Sequence, residues 1–133
     1  MGTLEMTNVT EDVGVIVVDH GSRLEAANAM LYEVCRVYAE ATGMRNVEPA
    51  HMELAKPTIA QAFARCVARG ARQIIVLPYF LSPGRHSMQD IPRFAAEAAA
   101  RFPGVAYRIA EPLGVDARMA EIMHHRVLNA LGR

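Results

Sequence analysis

The sequence predicts an α/β fold: a doubly wound, four-stranded parallel sheet in the order 2-1-3-4 with helices on both faces. Three observations lead there. Val13 to Val18 (VGVIVV) and Ile74 to Leu77 (IIVL) are short β-branched runs without polar alternation, the pattern of strands buried on both sides. The segments between such runs carry apolar residues at helical spacing. Glycine and proline punctuate the joins. Strands alternating with helices of this length imply right-handed crossovers and a parallel sheet.

The elements follow in order. After the first strand, Ala27 to Thr42 has Leu31, Val34, Cys35 and Tyr38 on one helical face, stops at Gly43, and follows a Ser22-x-x-Glu25 capping pattern. Val47 to Leu54 reads as the second strand. Pro57 to Arg69 reads as a helix with Pro57 in its first turn, Ile59, Phe63 and Val67 facing inward, and Gly70 as its stop. The third strand is IIVL. Asp90 to Arg101 reads as an alanine-rich helix with Pro92 in its first turn, Val105 to Ala110 as the fourth strand, and Asp116 to Leu131 as the closing helix. Residues 1–12 are expected to form a poorly ordered N-terminal extension and residues 13–133 a single domain, which suits the size.

Composition narrows the function. The 133 residues are 52% hydrophobic, and 14 basic residues balance 14 acidic ones. Zero formal charge argues against a protein whose main task is electrostatic binding of nucleic acid or a membrane surface, so neither is expected as a partner. All basic residues except Lys56 are arginine, so an arginine beside a motif carries little information by itself. Cys35 and Cys66 lie in separate helices at no metal-binding spacing, and with no disulfide framework a reducing compartment is the simplest home. No apolar run reaches the ~20 residues of a membrane span, and the acidic opening MGTLEMTNVTED is unlike a targeting peptide. A cytoplasmic protein is expected, organellar only if a targeting segment has been removed.

In the order 2-1-3-4 the winding reverses between strands 1 and 3, and the crevice at their carboxyl ends is the default ligand site. Asp19-His20-Gly21-Ser22-Arg23 follows the first strand, and Pro83-Gly84-Arg85-His86-Ser87 follows the third. Two histidines are therefore expected to converge there. Neutral imidazole is the commonest protein ligand for divalent transition metals, and two imidazoles with open positions would hold an ion loosely enough to hand it on. Glu53, at the end of strand 2, would bring a carboxylate to the same rim. The plainer reading makes each of these a turn-capping or solvated residue. His51 and Met52 read as strand residues of which one packs in the core, and the adjacent His124 and His125 cannot share a helical face as paired ligands. Ser22 lacks the G-x-S-x-G setting of a nucleophile, and no phosphate-binding G-x-x-x-x-G-K-[ST] pattern occurs.

Three segments, Val17-Val18-Asp19-His20-Gly21-Ser22-Arg23 with Asn28, EPAHMELA (48–55) with Pro57-Thr58-Ile59, and PYFLSPGRHSMQDIP (78–92), closely resemble the sirohydrochlorin chelatases in order and spacing. The likeness runs from about Val13 to the last helix and is to the short, single-lobe cobaltochelatases and ferrochelatases. It implies a chelatase-like α/β lobe that inserts a divalent metal into sirohydrochlorin without ATP, in sirohaem or cobalamin synthesis, with the metal (Fe²⁺, Co²⁺, and Ni²⁺ as a third candidate) as substrate and no organic cofactor. His20 and His86 would bind the metal. With Glu53 they would form the catalytic set, one of the three accepting the pyrrole protons. The substrate's many carboxylates make Arg23 and Arg85 candidate anchors, with Ser22 and Ser87 beside them. Longer chelatases pair two lobes across the macrocycle, so a homodimer is expected here. Neither a histidine-rich tract nor a cysteine-rich tail is present, so neither a metal store nor an iron–sulfur cluster is implied. Two rival readings use the same residues: a carrier or sensor that binds metal through the histidine pair without transforming a macrocycle, and a metal-assisted hydrolase built on His20, His86 and Asp90.

Overall fold

The structure, a computed structural model, describes residues 12–82 and 84–133, apart from the side chain of His86. Eight elements alternate: β1 (Val13–Asp19), α1 (Glu25–Thr42), β2 (Val47–His51), α2 (Ile59–Ala68), β3 (Gln73–Pro78), α3 (Arg85–Ala99), β4 (Ala106–Ile109) and α4 (Ala117–Ala130). The four strands form one parallel sheet in the order β2-β1-β3-β4, as the pattern predicts. Residues 1–11 of the expected N-terminal extension lie outside the described residues. Asp12 leads into β1, its carbonyl accepting hydrogen bonds from the Arg72 and Gln73 amides.

Successive side chains of a strand point to opposite faces, and β1 serves two cores. Ile16 and Val18 join Ile59, Phe63 and Cys66 of α2 and Ile91, Ala95 and Ala98 of α3 on one face. Val15 and Val17 join Leu31 and Cys35 of α1 with Met44 and Val47 on the other. Phe63 anchors the larger core, fully buried, with its ring stacked on Phe102 at 5.9 Å. A strand buried on both faces cannot slip by one residue without exchanging its cores, so β1 fixes the register of its neighbours.

Several boundaries differ from expectation, each for a local reason. The helix after β3 begins at Arg85 rather than Asp90. The Ser87 hydroxyl donates to the Gly84 carbonyl at 3.0 Å and accepts from the Gly84 amide at 3.1 Å, closing a turn that starts the helix five residues early. Pro92 consequently lies inside α3 rather than in its first turn, and Asp90 pairs with Arg93 at 3.1 Å instead of capping the helix. β2 ends at His51 rather than Leu54, because the chain bends away after the Met52 and Glu53 amides bond to the Asp19 and His20 carbonyls. Leu54 there adopts a left-handed φ of 70°. In α2 the cap is Thr58, in a reciprocal box with Gln61, so Pro57 precedes the helix. The Ser22-x-x-Glu25 box is not formed: α1 starts at Glu25, and the Ser22 hydroxyl accepts from the Leu24 amide instead.

No residue of α4 is buried, and Ile122, Met123, Val127 and Leu131 leave apolar surface open along it. Among the described residues no helix is long and apolar enough to cross a membrane.

Burial governs the two thiols. Removal from water, with smaller contributions from the Glu48 and Asp19 carboxylates, pushes Cys35 up to about 12, and burial does the same to Cys66. Because the thiolate is the nucleophile, both cysteines are expected to resist iodoacetamide at pH 8 in the native protein and to react within minutes in concentrated urea. Mass spectrometry of native protein showing rapid alkylation at either residue would contradict this packing.

Candidate metal-handling site

The carboxyl ends of β1 and β2 meet in a short, heavily hydrogen-bonded junction. Asp19 and His51 are register partners at the ends of their strands. Beyond them, the Met52 amide donates to the Asp19 carbonyl at 2.9 Å and the Glu53 amide to the His20 carbonyl at 3.0 Å. Gly21, at φ 87°, brings the backbone so near that a Cβ there would stand 1.9 Å from the Glu53 carbonyl oxygen. Only glycine tolerates both the left-handed angle and the approach. His20 and Glu53 are thereby linked through their peptides on one rim, and both are exposed.

The next residues are held by side chains. Asn28 of α1 clamps Ser22, its amide oxygen accepting from the Ser22 amide at 2.9 Å and its nitrogen donating to the Ser22 carbonyl at 2.7 Å. Arg23 is exposed beside it. On the other flank the His20 ring lies 4.3 Å from the Phe80 ring, tilted by 36°. Phe80 is itself fixed: the neighbouring Tyr79 amide donates to the Val18 carbonyl at 2.7 Å, and the Phe80 carbonyl accepts from Leu113 at 2.9 Å. The histidine ring therefore rests on an apolar wall while remaining open to solvent.

Arg85 and His86 occupy the first turn of α3, the element after β3, and β3 is the strand beside β1. The side chain of His86 is outside the described residues. Arg85 is exposed, whereas Ser87 is buried and its hydroxyl is committed to the Gly84 turn. Between α3 and the carboxyl ends of β3 and β4 lies an apolar groove of about 460 Å³, lined by Phe80, Met88, Ile91, Pro92, Ile109 and Pro112 among others. Among the described residues no group of three or more His, Cys, Asp and Glu side chains forms a metal-holding cluster. His124 and His125 sit exposed on α4.

Two features escape the sequence reading. Phe80 gives no sign in sequence that it will support His20. His51 and Met52 are both buried, where one was expected to be, and His51 is not ordinary packing: its Nδ1 lies 2.6 Å from Asp19 Oδ1. The equal positions of Asp19 and His51 at two strand ends carry that signal, but only once the pairing of the strands is known.

A doubly wound α/β lobe with a histidine and a carboxylate stitched together at the carboxyl ends of β1 and β2, the histidine on a strand that borders the switch point, belongs to a fold class that binds ligands at strand carboxyl ends. The CbiX family model matches residues 14–130, and the chain belongs to that family. It is 47% identical over 118 residues to the chloroplastic sirohydrochlorin ferrochelatase of Arabidopsis thaliana, an alignment covering 89% of this chain and 52% of that protein. It is 30% identical over 140 residues to the sirohydrochlorin cobaltochelatase of Methanopyrus kandleri, covering 90% of this chain and 98% of that one. The chain thus spans about half the length of the plant relative and nearly all of the archaeal one. Among solved structures, a cobalamin biosynthesis CbiX protein of Marinobacter aquaeolei superposes with TM-score 0.76 at 30% identity, covering 91% of this chain and 98% of that chain. SirB of Bacillus subtilis subspecies spizizenii in complex with cobalt gives the same TM-score at 32% identity, covering 89% and 50%.

Gly21→Ala tests the junction. Strain at φ 87° and collision with the Glu53 carbonyl should destabilise the protein by roughly 1–3 kcal/mol in urea unfolding and remove His20 and Glu53 from register. A variant as stable as wild type would show that the approach is not tight.

Proposed function

We propose that this protein is a sirohydrochlorin chelatase that inserts Fe²⁺ or Co²⁺ into the macrocycle without ATP. The observation that carries the reading is the conjunction of CbiX family membership with an exposed His20 and Glu53 joined at the carboxyl ends of β1 and β2. The reaction binds one divalent ion, breaks two pyrrole N–H bonds and releases two protons, with no change in oxidation state. Its needs are an ion shorn of part of its water and a base for the protons. Neutral His20 and His86 hold the ion with positions left open for the pyrrole nitrogens, and one of them or Glu53 accepts the protons as the macrocycle closes on the metal. The metal is the substrate, and the reaction requires no organic cofactor.

The substrate is a flat, apolar ring fringed by carboxylates. The apolar groove beside Phe80, with exposed Leu81 and Met88 nearby, suits the ring. Arg23 and Arg85, both exposed at the rim, suit the carboxylates through charge-assisted hydrogen bonds. Ser22 offers a further contact, while Ser87 contributes by holding the first turn of α3. A single lobe leaves the other face of the ring open. A second copy of the chain supplies the opposing lobe in this reading, and the uncovered apolar stripe of α4 supports such an interface. The residues offer no preference among the metals, because imidazole ligands accept several first-row divalent ions. The protein functions in the cytoplasm in this reading, although its Arabidopsis relative is chloroplastic.

The experiment is anaerobic absorbance of sirohydrochlorin mixed with Co²⁺ or Fe²⁺. Wild type should accelerate the spectral change of insertion over the uncatalysed rate, and His20→Ala and His86→Ala should each lose at least about 100-fold, the low end of what a positioned proton-transfer or ligand group contributes. Because a ligating imidazole must be unprotonated, the rate should also fall in acid. Sedimentation of the same samples should give twice the 14.6 kDa chain mass. Metal binding without acceleration would favour a carrier, and a monomer that retains full activity would remove the second lobe.

A further inference from the structure

His51 presents an imbalance. It is 1% exposed, and its Nε2 is buried with no hydrogen-bond partner among the described residues. A buried polar atom without a partner costs stability, and an apolar side chain at the same place would avoid the cost. The other nitrogen shows what the residue provides. Nδ1 lies 2.6 Å from Asp19 Oδ1, and the same oxygen accepts the Gly21 amide at 3.0 Å. One carboxylate oxygen therefore joins the end of β2 to the residue just past His20.

The consequence for His20 is geometric. Its own carbonyl is fixed by Glu53, the carbonyl before it by Met52, and the amide after it by Asp19. A carboxylate free to rotate would release the last of these and, with it, the Gly21 turn that sets the distance to Glu53. The Asp19 side chain is 24% exposed, so solvent competes for it, whereas the His51 side chain is sealed from solvent. A charge-assisted bond from a buried imidazole is a stronger hold than a bond to solvent.

We propose that Asp19 and His51 form a positioning pair: His51 locks the Asp19 carboxylate on the Gly21 amide and so holds His20 and Glu53 at the spacing metal transfer needs. The pair touches neither metal nor macrocycle. This role rests on the chelatase reading, since handling metal is what gives the spacing its use.

Three measurements test it. Calorimetric titration with Co²⁺ alone, and kcat and KM for insertion into sirohydrochlorin, are compared for wild type, His51→Leu and His51→Asn, well below each melting temperature. Removing the donor in His51→Leu should weaken Co²⁺ binding and lower kcat by about 10–100-fold, the usual scale for a group that orients a metal ligand, with KM little changed. Asn, whose amide nitrogen can take the place of Nδ1, should recover most of both. A folded His51→Leu protein with wild-type Co²⁺ affinity and kcat, or His51→Asn no better than His51→Leu, would overturn the proposal. If His51→Leu does not fold, long-range ¹H–¹⁵N spectra of wild type decide the matter: the proton of His51 should reside on Nδ1, and a ring protonated on Nε2 alone overturns the pair. Failure of the chelatase reading looks different. It leaves wild type unable to accelerate insertion, while Co²⁺ affinities and the tautomer are read without any tetrapyrrole.

Discussion

The arrangement depends on one close approach, that of the Gly21 turn to the Glu53 carbonyl. It sets His20 and Glu53 side by side at this end of the sheet. His20 and Glu53 are 33 positions apart in the chain, yet one amide-to-carbonyl bond joins them directly. Such bonds contribute about 1 kcal/mol each net of water, so no single one holds the rim. Several acting on consecutive peptides do, because each bond already made lowers the entropy lost in forming the next.

The two-faced core supplies the rigidity on which that junction rests. β1 has a strand on each side and leads directly into His20, and its side chains lock into α1 on one face and into α2 and α3 on the other. The strand's carboxyl end therefore has little freedom. Metal transfer benefits from such fixity: ligands that hold an ion too firmly never release it, so a few well-placed groups serve better than a full cage. The apolar wall of Phe80 adds to this by supporting the ring of His20 without competing for its nitrogens.

Most of the fold was legible because periodicity and punctuation agreed. The buried run of β1, the stop at Gly43 and the apolar face of α2 each follow from local chemistry, whereas β3, expected to be buried on both faces, alternates buried Ile74 and Val76 with half-buried Ile75 and Leu77. The placement of His20 and Glu53 on one rim was legible from the order of the strands, since each follows the end of a strand that the pattern sets beside the other. What escaped was decided by contacts between distant segments. α3 starts at Arg85 because Ser87 reaches back to Gly84, a bond that sequence does not distinguish from a loop. Past His51 the Met52 amide meets the last residue of β1 and the Glu53 amide the residue after it, where the chain leaves the sheet. The Asp19–His51 contact requires the sheet register, and the place of Phe80 requires the path of the chain after β3.

The central claim, that metal is received at the β1 end of the switch point, is tested most directly by crystals grown with Co²⁺ and measured at the cobalt absorption edge. The account predicts an anomalous peak at bonding distance from a ring nitrogen of His20, with the first turn of α3 alongside and Glu53 within reach of a metal-bound water. A peak at His124 or His125 on α4, with His20 bare, would contradict it.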